Sequence, residues 1–435
     1  MRDLLLLTII VGGSLYALRR PWIGAMMWTW VSLMNPHQQF GWSSAQWPVA
    51  SIVAVCTLLG LLFTRDRQNP FQGAPAWALL AFIAWICVTL PFSIYFDDSL
   101  PLWIRSMKIF LMTFVTLALL NSREKIDWYV WVIVGSLGFY GLKGGVFTLA
   151  TGGNYRVWGP GGFIGGNNEL ALALVMTIPL MRYLQQQASR RWVRLALGLA
   201  MLLTAITVLG SYSRGALVAI SAMLLFMWWK GDRKMLLGLV LIAAVPVALS
   251  LMPEAWWSRM ESIGNYEQDA SAMGRINAWK MAWNLALDRF FGGGFMVWSG
   301  PVFQTYAPDP TDVHAAHSIY FQVLGEHGFV GLLLFVAIGA STWMAARRLV
   351  RDFASIPEHK WAADLGTMVQ VGMLGYAAGG AFLSLAYFDL PYDLMAAIVA
   401  VGAVCRRAAI AVPSTTQGAP TLAERPGDQP GNSLA

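Results

Sequence analysis

The chain reads as an all-α, polytopic integral membrane protein of about twelve transmembrane helices, with one large periplasmic loop containing short helices. Three observations predict this. Of its 435 residues 57% are hydrophobic and only 12% charged, whereas a soluble domain is nearer a quarter charged. The apolar residues come in long blocks, as suits helices that satisfy their own backbone groups in lipid, and not in the short alternating segments of a barrel. One long polar stretch, Met252–Phe321, interrupts the blocks late in the chain. The 21 tryptophans fit anchoring at a membrane–water interface.

In chain order, Leu4–Leu18 and Trp22–Met34 are split by Arg19-Arg20-Pro21. Each is shorter than the roughly 20 residues that span a bilayer, so one bent element and a tight hairpin are both open. No small-x-small cleavage site follows the first piece, which reads as a retained membrane segment. Pro48–Thr64, Ala76–Tyr95, Pro101–Leu120 and Trp128–Ala150 are better spans, followed by Asn167–Tyr183, Trp192–Gly210, Gly215–Trp229 and Met235–Met252. Beyond the loop come His317–Ala345, Leu365–Tyr387 and Leu390–Val404. The chain thus divides into N-terminal spans (1–252), a catalytic loop (253–316), C-terminal spans (317–405) and a tail (406–435). The tail's Pro, Gly, Ser and Thr predict disorder.

Arg65, Arg67, Arg123, Lys125, Arg182, Arg190, Arg191, Arg194, Lys230, Arg233, Lys234, Arg347, Arg348, Arg351, Lys360, Arg406 and Arg407 fall in alternate connections. Positive charge marks the cytoplasmic side, so the large loop lies outside, and an even span count puts both termini inside. This bias accounts for the net charge of +7 without nucleic acid. The loop's acids (Glu254, Glu261, Glu267, Asp269, Asp288, Asp309, Asp312) outnumber its Arg259, Arg275, Lys280 and Arg289. Cys56, Cys87 and Cys405 sit in or beside apolar segments and read as inert core thiols. No stripe of intramembrane acids marks an ion path, which weakens an ion-coupled transporter.

Arg214 stands in Gly210-Ser211-Tyr212-Ser213-Arg214-Gly215, a short outer turn where a cation breaks the charge rule. Its planar fork suits phosphate oxygens, and the next helix starts there with free N–H groups; a snorkelling interfacial arginine is the plainer alternative. Arg275, Trp279 and Trp283 share one face of a helical run Ala272–Leu287. That face either aims the arginine at a lipid phosphate or leaves it solvated. His317 opens a span after an acidic, Pro-rich loop, where a neutral imidazole could accept a proton from a hydroxyl or merely cap. His314 at i−3 invites a metal reading, but no third ligand stands at a recognisable spacing. Asp312 is placed to orient a histidine.

Lys143, within Tyr140-Gly141-Leu142-Lys143-Gly144-Gly145, would need an interior cavity or partner. Arg156 in the loop Thr151–Gly166 is a further phosphate contact, and Arg105 and Lys108 rank below it. Asn167-Asn168-Glu169 reads as a helix cap. The Gly-rich patches Gly159–Gly166 and Gly292–Gly294 match no P-loop or dinucleotide fingerprint. No DxD pair points to a nucleotide sugar.

Ser211-Tyr212-Ser213-Arg214-Gly215, Gly274-Arg275 followed by Trp279, Gly292-Gly293-Gly294-Phe295, and His317-Ser318-Ile319-Tyr320 with Gly325-Glu326-His327-Gly328 occur in one order around the large loop. In this the chain resembles the O-antigen ligase family over roughly residues 1–405. Met1-Arg2-Asp3 through Asn35-Pro36-His37 is similar to the subgroup associated with exosortase systems. The resemblance implies an enzyme of the bacterial inner membrane, with its active site at the periplasmic face and no cofactor, metal or nucleotide. It would move a glycan from undecaprenyl pyrophosphate to a hydroxyl of lipid A–core, with inversion. Catalytic roles would fall on His317 as base and on Arg214 and Arg275 as the pyrophosphate clamp; Arg156, Lys143 and His314 join them as substrate-binding candidates. O-antigen polymerases and protein O-oligosaccharyltransferases share this resemblance, and a flippase for lipid-linked sugars is the alternative of another class. The expected partners are the carrier-linked glycan, the acceptor and membrane lipids, and the chain is expected to act as a monomer.

Overall fold

A computed structural model describes residues 2–40, 47–230, 234–250, 252–261 and 269–411. The expectations for Met1, Arg233, Glu267 and the tail from residue 412 lie outside the described residues. Every regular element among the described residues is helical. In order they are α1 (Arg2–Ala17), α2 (Pro21–Met34), α3 (Pro36–Phe40), α4 (Val49–Phe63), α5 (Ala74–Thr89), α6 (Phe96–Leu119), α7 (Arg123–Ala150), α8 (Asn167–Gln187) and α9 (Arg191–Gly210). There follow α10 (Arg214–Lys230), α11 (Lys234–Ser250), α12 (Glu254–Glu261), α13 (Ala270–Asp288), α14 (Gly300–Tyr306), α15 (Ile319–Phe353), α16 (Lys360–Gly380) and α17 (Asp389–Ala411).

Among the described residues, five helical stretches are long and apolar enough to cross a membrane by length and composition: Ala74–Phe92, Phe96–Leu119, Arg123–Ala150, Arg191–Gly210 and Ile319–Phe353. Val49–Phe63 is apolar but shorter. The first two apolar pieces form a hairpin, α1 packing back on α2 through a turn at residues 18–20. The centre of the bundle is α8: Leu170 through Thr177 are all buried, so every face of that stretch meets protein. Helices α9 and α16 pack against α8. On the outside, Leu5, Phe63, Leu195, Leu202 and Leu333 are exposed, an apolar exterior of the kind lipid covers.

Lys143 does not face an interior cavity. Gly141, Gly144 and Gly145 on α7 let Thr204, Thr207 and Leu203 of α9 come so close that a Cβ would clash, and Thr207 Oγ1 donates to the Gly141 carbonyl at 2.6 Å. Small residues are needed where two membrane helices touch. Lys143 is two residues from both Gly141 and Gly145, so helical geometry turns it to the opposite, exposed side, where its stem can snorkel. Cys87 is likewise exposed, not core; Cys405 is buried and Cys56 partly so, and all three are free thiols.

The last spans shift from their expected positions. Helix α16 ends at Gly380, so Phe382–Tyr387 is a loop, and α17 runs on to Ala411. Helix α15 starts two residues after His317 and breaks at Gly328 (φ 68°, ψ −172°).

The cationic connections meet at one end of the bundle. Lys125 Nζ bonds Asp66 at 2.7 Å, and Arg407 bonds Gln68 Oε1 at 2.7 Å and the Asn121 carbonyl at 2.8 Å. The Arg123 guanidinium stands 5.1 Å over the Trp361 ring. The opposite ends of these helices carry the site.

Candidate active site

Four helices begin at one place. Helix α8 starts at Asn167, α10 at Arg214, α13 after Asp269 and α15 after Ser318. Asn167 Nδ2 donates to the Ser211 carbonyl at 2.7 Å, which ties the first start to the second. The cap reading of Asn167 is therefore corrected: backbone Gly166 takes the N-cap position without a side-chain bond. Ser213 Oγ caps α10 by accepting from Ala216 N at 3.1 Å. Asp269 caps α13 by accepting from Ser271 N at 2.9 Å and Ala272 N at 3.3 Å. Each helix start carries the equivalent of about half a positive charge, so the convergence is an anion-attracting field before any side chain is counted.

Side chains reinforce it. Arg214, Arg259 and Arg275 line one small recess with Asn168, Ser213 and Phe382. Arg214 Nη1 makes an ion pair with Asp269 Oδ2, which holds the Asp269 carboxyl below the usual carboxylate range. Burial pushes the Arg275 guanidinium down; Arg214 adds to this, while Asp269 and Glu169 act the other way. Burial likewise lowers Arg259, with Arg156 and Arg214 as further causes. Arg259 Nε donates to the Tyr212 carbonyl at 3.0 Å, and Arg156 stands 5.4 Å over the Tyr212 ring. Arg156, exposed, thus belongs to the rim of the cluster.

Helix α13 also positions the histidine loop. Asn277 Nδ2 donates to the carbonyls of Asp309 (2.8 Å) and Asp312 (2.9 Å), and its Oδ1 accepts from Asp309 N at 2.9 Å. Trp279 Nε1 donates to the Ala316 carbonyl at 2.7 Å, and its ring stacks on Phe321 with centroids 5.0 Å apart. Gly274 lets His314 lie against the helix: a Cβ there would stand 2.6 Å from His314 Nδ1. Asp312 Oδ1 is 2.7 Å from that nitrogen but off the hydrogen-bonding direction, so Asp312 attends His314 and not His317.

His317 sits just outside α15, partly buried, with φ 42°. Burial lowers its pKa first; the charge of Arg275 and then His314 add to the effect. The arrangement therefore brings together Arg214, Arg275, His317 and His314, with Arg156 at the edge, and leaves Lys143, on the outer face of α7, out. Sequence reasoning missed Arg259, Asp269, Asn168, Asn277 and Glu169. Asp269 carried a signal in Asp269-Ala270-Ser271, an acid opening a helix; the others became visible only when separate segments met.

The glycine turn is not loose. Gly293 N and Gly294 N donate to the carbonyls of Gly325 and Glu326, both at 2.9 Å, the residues just before the break in α15. A Cβ on Gly292 would meet Glu326 backbone at 2.7 Å, and one on Gly328 would strike the Phe290 carbonyl. Two of the four sequence motifs are thus halves of one joint, which fixes the loop to the bundle below His317. Among the described residues, no three His, Cys or carboxylate side chains converge as a metal group.

Comparison with known proteins matches residues 199–336 to the O-antigen ligase family model and residues 1–189 to a family of unknown function. No curated protein matches the chain. The second match carries no assignment to exosortase systems. The first contains Arg214, Asp269, Arg275, His317 and both halves of the glycine joint, and over that stretch the chain is similar to the O-antigen ligase family.

Proposed function

We propose that this protein is an inverting, metal-independent ligase that transfers a glycan from undecaprenyl pyrophosphate to a hydroxyl of lipid A–core at the periplasmic face of the bacterial inner membrane. One observation carries the reading. Two arginines from separate segments of the chain, Arg214 and Arg275, line one recess among helix N-termini, and the half-buried His317 has its pKa lowered by burial and then by the charge of Arg275. A leaving diphosphate gains charge as its bond to the sugar breaks, and fixed positive groups at that point lower the barrier. A guanidinium has five N–H donors, so the ion pair with Asp269 does not by itself exhaust Arg214.

In the proposed step the acceptor oxygen attacks the anomeric carbon from the face opposite the pyrophosphate. The new C–O bond forms as the old one breaks, the bonding pair leaves with the carrier pyrophosphate, and the hydroxyl proton passes to His317. Inversion follows from the single displacement. The large loop would lie outside the membrane and about twelve spans would cross it, which brings both lipid-borne substrates to the recess by diffusion in the bilayer.

The test is transfer in vesicles holding purified protein, carrier-linked glycan and lipid A–core. His317→Ala should lower turnover by about 10²–10⁴-fold. Arg214→Lys should lose at least about tenfold, because an ammonium cannot reproduce a two-pronged grip on phosphate. A His317→Ala protein transferring at the normal rate would remove the base assignment. Use of a second carrier-linked glycan in place of lipid A–core would make the enzyme a polymerase, and movement of glycan without a covalent product would make it a transporter.

A further inference from the structure

We infer that α13 carries a saccharide platform for the acceptor, built on Trp279 and Trp283; the assignment to the acceptor rests on the ligase reading. A groove of about 340 Å³ opens beside the helix. Trp279, Trp283, Pro308 and Phe321 wall it, and Lys280 and Asn284 stand among its lining residues. The volume is at the small end of ligand clefts, so it admits part of a glycan and not a whole chain.

The chemistry of the wall selects the ligand. A sugar ring has an apolar C–H face and an equator of hydroxyls. Aromatic faces carry negative charge and attract C–H groups, and both indoles are held in place. Trp279 is fixed by Phe321 and Ala316, and Trp283 by an edge-to-face contact with Phe329 at 5.2 Å. Lys280 brings three donors. Asn284 commits Nδ2 to the Tyr306 carbonyl at 2.9 Å, which leaves Oδ1 as an acceptor. Exposed Leu287 and Phe290 lie further along the same segment and suit lipid; an ammonium and an amide beside two indoles suit a polyhydroxylated ligand better.

Position assigns the ligand to the acceptor. Arg275, Trp279 and Trp283 follow one another at four-residue intervals, about 6 Å each along the helix. Arg275 faces the recess proposed for the leaving pyrophosphate. Trp279 holds the residue just before His317. A sugar whose hydroxyl meets the imidazole would extend past Trp279 onto Trp283.

The probe is delipidated lipopolysaccharide core oligosaccharide, observed by saturation-transfer NMR on full-length protein in detergent. Wild-type and Trp283→Phe proteins should saturate the sugar protons, and Trp283→Ala should bind about tenfold more weakly. In vesicles the same variant should raise KM for the acceptor about tenfold with kcat near wild type, the mark of lost binding shared by ground and transition states. Lys280→Ala, also at an exposed position, should weaken binding without disturbing the fold. Trp283→Ala and Lys280→Ala binding as tightly as wild type, or wild type giving no saccharide contact, would overturn the platform. Because binding is read without turnover, the two readings fail separately. Trp283-dependent binding by a protein that transfers no glycan sinks the ligase reading alone; transfer with unchanged KM in Trp283→Ala sinks the platform alone.

Discussion

His317 holds a backbone conformation that side chains other than glycine seldom adopt (φ 42°). A left-handed residue costs about 1–2 kcal/mol, and such strain persists where surrounding contacts over-determine it. Here Trp279 grips the preceding carbonyl and Asn277 the start of the loop. His317→Gly should therefore unfold at the same or a higher temperature than wild type while losing transfer, which separates function from folding in one purified variant. The imidazole's lowered pKa has a kinetic sign. The base must be neutral, so burial and Arg275 extend the neutral form toward acid. The acid limb of kcat/KM against pH should lie below that of an ordinary imidazole, and Arg275→Gln should move it upward even as the rate falls. A limb that stays in place would mean that His317 is not the titrating base. Asp269 can be dissected in the same way. Asparagine is also a good N-cap, so Asp269→Asn should keep the start of α13 and lose the charge partner of Arg214. Asp269→Ala should lose both and melt earlier, by about 1 kcal/mol of stability.

Helix α13 and the broken α15 act as one unit. The Gly292–Gly294 turn is backbone packed on backbone, so adding a methyl at Gly292 or Gly328 meets both a left-handed φ and a main-chain atom. Each Gly→Ala change should lower stability by at least about 1–2 kcal/mol, read as an earlier thermal transition, and should lower transfer because the joint anchors the segment that carries His317. Individual residues of this unit were legible in the sequence. An acid before an apolar run marks a helix start, and Arg275, Trp279 and Trp283 repeat at helical spacing. Their partnership was not, because the contact between Gly293 and Gly325 depends on chain far away in sequence. Lys143 misled for a related reason. Its flanking glycines answer to α9 across the interface, and nothing within α7 says which side that helix will pack. The shifted ends of α16 and α17 follow from the loop Phe382–Tyr387, which is mostly apolar yet folds as loop, buried beside the site: Leu383, Leu385 and Tyr387 are all hidden.

At the scale of the molecule, two charge patterns occupy opposite ends of one bundle. One end gathers Lys125, Arg123 and Arg407 with the connections they pair across. The other gathers four helix starts and the arginines between them. Only the first pattern bears on orientation, because basic residues in short loops are retained in the cytoplasm. In the second, Arg214 is paired with Asp269 and Arg259 and Arg275 lie in a loop whose acids exceed its bases, and long loops cross largely regardless of charge. The site end should therefore face outward. The check is labelling of single cysteines in a background with Cys56, Cys87 and Cys405 replaced. Thr305→Cys, exposed on α14, should react with a membrane-impermeant maleimide in intact spheroplasts, and Arg348→Cys, exposed near the end of α15, only after permeabilisation. The opposite pattern would put the recess in the cytoplasm. A glycan already carried to the outer leaflet could not reach it, and the periplasmic step would have to be abandoned even with the arginine–histidine geometry intact.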